Sequence, residues 1–251
     1  MKTTTDDSVL RITFDRPDAM NAFNDEEAVA LAEVVAEADP ETHDAIVLTG
    51  EGEAFSAGGD IEAMAERDER PREAYDRYNR TYGRVAEELF TCPVPVVASI
   101  NGDAVGAGLT LTALSDFAYA VEDATFGCAF VHVGLIPDTG GSYLLPRLIG
   151  LRAAKRLAFT GAYFDASEAA ELGLITAAVT TDELDERVSS LVETLRDRPT
   201  ETIGFAKQAI HDNLGRGFED ALDHEAMLQT QAYNSEAHED GVAAFLERGD
   251  E

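Results

Sequence analysis

The sequence predicts an α/β fold with a helical C-terminal region. Three observations predict it. Short apolar strand-like runs alternate with helical patterns over the first half of the chain, helical periodicity dominates from Thr139 onward, and glycine-rich turns join strands to helices. With 251 residues and 45% hydrophobic content, the chain is long enough to bury one large core.

Taken in order, Val9 to Phe14 alternates in polarity and predicts a strand that Arg16-Pro17 ends. Asn24 or Asp25 is placed to cap a helix reaching about Ala38, with Val29, Leu31, Val34 and Val35 on its apolar side. Ala45 to Thr49 is a short apolar strand, and Gly50 to Asp60 is a loop. Asp60 caps a short helix, and Pro71 opens a longer, highly charged one that runs to about Phe90. Val94 to Ile100 predicts a buried strand turned by Asn101-Gly102. Gly106-Ala107-Gly108 opens an apolar helix to about Leu114, and Phe117 to Ala120 is a further strand. Helices follow at about 142–158, 167–172, 182–197, 200–213 and 218–247, the last broken near Asn234-Ser235.

Charge narrows the function class. The chain carries 49 acidic and 19 basic residues, a formal net of −30, with the acids spread along its length. Such a field repels nucleic acid and anionic membranes. Three lysines (Lys2, Lys155 and Lys207) stand against sixteen arginines. Dispersed acid with little lysine is the composition expected of a protein working in a saline cytoplasm. No run of about 18 apolar residues predicts a membrane span, and the first residues lack a secretory apolar stretch, so a cytoplasmic location is expected. Cys92 and Cys128 match no ligand or redox spacing and read as small buried hydrophobes, and the five histidines form no metal motif.

Two turns carry chemical interest: Phe55-Ser56-Ala57-Gly58-Gly59-Asp60-Ile61 and Asn101-Gly102-Asp103-Ala104-Val105-Gly106-Ala107-Gly108. Small residues let another group approach the backbone N–H closely. The second turn also opens a helix, whose first N–H groups and dipole favour negative charge. Two such N–H groups converging on one point make an oxyanion hole.

The order and spacing of these turns, together with Asp15-Arg16-Pro17, Asn21-Ala22-Phe23, Ile46-Val47-Leu48-Thr49-Gly50, Pro93-Val94-Pro95 and Gly134-Leu135-Ile136-Pro137-Asp138-Thr139-Gly140-Gly141, resemble the crotonase (enoyl-CoA hydratase/isomerase) superfamily along nearly the whole chain. The resemblance implies a ββα spiral core over residues 1–195 and a C-terminal helical oligomerisation region over 196–251. It implies a homotrimer or hexamer and an acyl-CoA thioester substrate. CoA belongs to the substrate, so neither a separate cofactor nor a metal is expected. The oxyanion-hole positions fall on Gly59 and Ala107, and Phe23, Ala57, Asp60, Ile61 and Phe130 fall along the substrate path.

The departures from the family are informative. Where its hydratases carry two glutamates, this chain has Thr110 and Phe130. Hydration needs a base for water and an acid for the α-carbon, and neither residue can serve. Asp138 sits where family isomerases carry their acid/base, including those acting on dienoyl-CoA and on the epoxyphenylacetyl-CoA of phenylacetate degradation. Apolar neighbours Phe130, Leu135 and Ile136 are expected to raise its pKa by desolvation. The competing role for Asp138 is capping of the helix that follows. The expected activity is therefore isomerisation, by double-bond shift or ring-epoxide rearrangement. The alternatives are a hydratase, another crotonase-type thioester enzyme, or a non-catalytic CoA-binding member.

Overall fold

The computed structural model describes residues 1–249. Ten strands form two sheets among these residues. The larger sheet runs in the order β1 (Lys2–Asp6), β2 (Val9–Phe14), β3 (Ala45–Gly50), β5 (Val96–Ile100), β7 (Phe117–Val121), β10 (Ala177–Val179). The smaller one runs β4 (Ala54–Ser56), β6 (Asp103–Val105), β8 (Thr125–Gly127), β9 (Tyr163–Asp165). One edge pair of each sheet, β1 with β2 and β8 with β9, is antiparallel, and the other pairs are parallel.

Chain order explains the architecture. β3, β5 and β7 each lie in the larger sheet and each is followed within a few residues by a strand of the smaller sheet, β4, β6 and β8. Helices α2 (Ile61–Ala65), α3 (Pro71–Arg80) and α4 (Tyr82–Thr91) follow the first such pair, and α5 (Ala107–Leu114) follows the second. The strand–strand–helix unit thus repeats and winds, as the resemblance implied. β5 is buried along its whole length and β3 along its first four residues, as expected of parallel strands covered on both faces. β1 is polar, fully exposed and at the edge, where a polar strand discourages pairing with another chain.

The sequence-based elements need four corrections. The loop expected at 50–60 contains β4, and the smaller sheet as a whole was not anticipated, because its strands are three residues long and embedded in glycine-rich turns. The edge strand β1 was not anticipated either. The helix expected from Pro71 to Phe90 breaks at Thr81, whose φ of −116° and ψ of −102° lie outside helical geometry. The helix expected over 142–158 breaks between α6 (Gly141–Leu148) and α7 (Gly150–Thr160), where Gly150 has φ +76°. Other expectations match. Asn24 caps α1 (Asp25–Ala36) through a capping box with Glu27, Asp60 caps α2, and both cysteines are buried and free.

Short α8 (Ala166–Glu171) precedes four longer helices: α9 (Thr181–Arg196), α10 (Thr200–Asn213), α11 (Phe218–Tyr233) and α12 (Glu236–Gly249). α9 lies against β3, β5 and β7, and α10 reaches α4. The buried Lys207 of α10 donates to Asp116 Oδ2 at 2.7 Å, and the same oxygen accepts the Val96 N–H at 2.7 Å. One carboxylate thereby ties the helical region to the larger sheet. No described helix is long and apolar enough to cross a membrane.

Candidate active site

A cavity of about 750 Å³ opens between the two glycine-rich turns, the segment 61–82 and the segment 129–138. Its construction begins at Asn21, which is 1% exposed. The Asn21 side-chain amide donates to Ala54 O at 2.7 Å and Glu51 O at 2.9 Å, while its Oδ1 accepts the Arg16 N–H. These bonds fix the start of the first turn. Phe23 then pairs with Gly59 as an isolated parallel bridge: Phe23 N–H donates to Gly58 O at 2.8 Å, and Asp60 N–H donates to Phe23 O at 3.1 Å. This pattern leaves the Gly59 N–H without an acceptor among the described residues.

The second turn presses on the first. A Cβ at Gly58 would stand 2.6 Å from Val105 O and 2.7 Å from Ala107 N, and one at Gly108 would stand 2.2 Å from Ser56 O. Gly106 adopts φ +57°, ψ −121°, a conformation open to glycine, and spends its N–H on Gly127 O at 2.9 Å. Ala107 is then the first residue of α5, and its N–H has no protein acceptor among the described residues. Two unpaired N–H groups on touching turns therefore face one cavity.

Asp138 lies on that cavity too. Its carboxylate accepts from Thr139 Oγ1 at 3.1 Å, and burial pushes its pKa up, opposed by that hydrogen bond. Phe130 and Leu135 line the cavity with it, whereas Ile136 is 72% exposed and does not. Ile136 was expected to help desolvate Asp138, and its outward position corrects that. Helix α6 has Gly140 at its N-cap and takes no side-chain cap, so the Asp138 carboxylate does not cap it. Thr139 sits at φ +49°, and its N–H donates to the Tyr78 hydroxyl at 2.9 Å.

Ala57, Gly59, Ile61, Ala107, Phe130 and Asp138 thus share one cavity. Phe23 and Asp60 do not line it. The Phe23 ring is 3% exposed and packs against Phe14 and Tyr82. The Asp60 carboxylate is taken by the Ala63 N–H at 3.0 Å and by Arg16 at 2.8 Å, which together hold its pKa below the usual carboxylate range. Thr110 is fully buried, away from the lining, and its hydroxyl donates to Ala107 O at 2.9 Å.

Sequence reasoning missed the wall formed by Met64, Arg67, Glu69, Arg77, Tyr78 and Tyr82. The signal available was Tyr78 and Tyr82 at i, i+4 spacing inside a charged stretch, an apolar pair facing one way. Tyr82 donates to Phe23 O at 2.9 Å, and burial, with Asp25 adding, pushes its pKa up to about 12. Glu69 is the second carboxylate on the cavity. Arg77 holds it through Nε and Nη2 at 2.8–3.1 Å and lowers its pKa. The two acids are therefore pushed in opposite directions, leaving Asp138 as the one without a cation partner.

Comparison with known proteins identifies the family. The family described as Enoyl-CoA hydratase/isomerase matches residues 4–251. A 1,2-epoxyphenylacetyl-CoA isomerase of Escherichia coli is 35% identical over 240 residues, covering 95% of this chain and 92% of the relative. A short-chain-enoyl-CoA hydratase of Clostridium acetobutylicum is 30% identical, covering 96% and 92%. The crystal structure of an enoyl-CoA hydratase from Mycobacterium smegmatis superposes with TM-score 0.90 at 30% identity, covering 98% of this chain and 96% of that one. One from Bacillus anthracis gives 0.89 at 28% identity, covering 98% and 96%. With the fold, the paired turns and the full-length match in agreement, the chain belongs to the enoyl-CoA hydratase/isomerase (crotonase) superfamily.

Proposed function

We propose that the chain is an acyl-CoA isomerase that moves a double bond, or rearranges a ring epoxide, through a thioester enolate. The observation that carries this reading is the cavity joining Gly59, Ala107 and Asp138, with Thr110 and Phe130 where a hydratase needs glutamates. The thioester oxygen sits between the Gly59 and Ala107 N–H groups. Asp138 removes a proton from carbon, the electron pair passes to that oxygen as an enolate, and the same carboxyl returns the proton at another carbon. No atom is gained or lost, so one acid/base suffices. Each N–H donor is worth about 3 kcal/mol in comparable sites.

A carboxylate at its ordinary pKa near ~3.9 is a weak base. Burial of Asp138 raises its pKa and moves it in the useful direction. The similarity to an epoxyphenylacetyl-CoA isomerase supports the same reading. The similarity to a short-chain hydratase supports the alternative, and the reaction product separates the two. A 3-hydroxyacyl-CoA from an enoyl-CoA means hydration, and a shifted double bond means isomerisation. In the decisive variant, Asp138→Asn keeps thioester binding and loses turnover by about 100-fold or more. Near-normal turnover in that folded variant sinks the mechanism. We infer in addition a trimer or hexamer assembled through the helical region, where Ile210, Phe218, Phe245 and Leu246 are each more than 60% exposed. Light scattering in high salt, which screens the −30 charge, checks this.

A further inference from the structure

One wall of the cavity is built of charge. Arg67, Glu69 and Arg77 line it, with Asp25 behind them. Asp25 Oδ1 accepts from Arg67 at 2.7 Å and from Arg77 at 3.3 Å. Arg77 also forks onto Glu69, so each of its three nitrogens donates to a carboxylate. Arg67 differs. It gives one N–H to Asp25 and a second to the Tyr82 hydroxyl, and its remaining donors have no further acceptor among the described residues.

The position of this fork follows from its neighbours. A Cβ at Gly59 would meet Met64 Cε at 2.4 Å and the Tyr82 hydroxyl at 3.5 Å, so Tyr82 adjoins the first N–H donor. Tyr78 adjoins the Asp138 loop through Thr139. Tyr78, Tyr82 and Arg67 therefore form one wall of the cavity that an acyl group held at Gly59 and Ala107 faces. Plain hydrocarbon there would strip water from guanidinium donors and replace it with nothing. The cluster of Arg67, Arg77, Asp25 and Glu69 is charge-balanced, and the chain as a whole carries −30, so an anionic tail has no unmatched cation to meet.

We propose that this end of the site takes an acyl group bearing a neutral oxygen acceptor, a hydroxyl, ether or epoxide, and that Arg67 binds that oxygen and sets the preference for it. The inference rests on the acyl-CoA reading above. The test uses matched thioester pairs, 3-hexenoyl-CoA against its 6-hydroxy counterpart and a cyclohexenylacetyl-CoA against its ring epoxide, with the wild type, Arg67→Met and Arg67→Lys. The quantity read is the ratio of kcat/KM, oxygenated over plain. Where a pair is not turned over, the ratio of calorimetric affinities is read instead. The wild-type ratio is expected to exceed unity, and Arg67→Met to lower it by about 10- to 100-fold, the range of one charge-assisted hydrogen bond. Arg67→Lys, which keeps charge but loses the fork, falls between. A ratio unchanged in both variants, or a wild-type preference for the plain acyl group, overturns the inference while leaving the isomerase reading intact. Failure of every thioester to bind overturns both.

Discussion

The two backbone donors reach the cavity by different routes, and the difference decides how each can be perturbed. Ala107 presents its N–H because it begins a helix, so the donor also carries the positive end of the helix dipole. Gly59 presents its N–H because a one-residue bridge to Phe23 uses the peptide groups on either side and skips it. The first donor is a property of a regular element. The second depends on a close-packed irregular loop held by Asn21 and by the neighbouring turn.

The largest expected effect exploits this contrast. Proline is tolerated at the first position of a helix, where it removes the N–H and puts its ring Cδ in that hydrogen's place. Ala107→Pro is therefore expected to keep the fold and lower kcat by about 100- to 1000-fold, the cost of one oxyanion-hole donor. Steady-state kinetics beside a thermal melt checks this, and an unchanged kcat breaks the assignment of Ala107. Next comes Gly58→Ala. Gly58 has φ +87°, and its added methyl meets backbone atoms at 2.6 and 2.7 Å that cannot step aside. A stability loss of about 1–3 kcal/mol is expected, read from the denaturation midpoint. A wild-type midpoint would mean that the two turns do not hold each other. Gly59→Ala is milder, because the atom its methyl meets first is the flexible end of Met64. Its stability cost is expected below about 1 kcal/mol, and a loss as large as that of Gly58→Ala would erase the distinction between the two glycines.

The smallest effect concerns pH. Burial raises the Asp138 pKa in the folded state, so the folded chain holds that proton more tightly than the unfolded one. The contribution of Asp138 to stability is complete below the unfolded pKa near ~3.9 and declines as pH rises through the folded value. Asp138→Asn should therefore melt higher than the wild type at pH 7, and the gap should close as the pH approaches 4. The same shift places the acidic limb of the wild-type kcat/KM profile above the ordinary carboxylate range. A melting gap independent of pH would show that the carboxylate is not desolvated.

Much of the larger sheet was legible in the sequence, because β2, β3, β5 and β7 are five or six residues long with strong apolar content. The smaller sheet was not, because three residues carry no readable period, and β4 and β6 look like parts of glycine loops. Within the site, the backbone positions were named through the family resemblance that the motifs carry, not from spacing by itself. Gly59, Ala107 and Asp138 do face one cavity. Phe23 and Asp60, which the resemblance put along the substrate path, turn their side chains away from this cavity. The Phe23 backbone serves the turn while its ring enters the core, and Asp60 turns its carboxylate to Arg16. The wall of Arg67, Arg77, Tyr78 and Tyr82 was hidden for another reason. Its members come from a linker and two helices separated by the break at Thr81, and a charged helical stretch reads from sequence as a solvated face.

The geometry of the hole has a consequence for how such a site changes over time. Gly59 and Ala107 contribute main-chain atoms, which most point substitutions leave in place, whereas Phe130 and Asp138 contribute side chains that a single substitution replaces. On the proposed reading, the donors for the enolate come with the fold, and the proton chemistry rests on exchangeable side chains. Here Thr110 is sealed beneath α6, where a Cβ at Gly141 would stand 2.5 Å from its methyl. A longer side chain at position 110 would therefore have to displace packing at Gly141, so that slot is not exchanged by changing one residue alone.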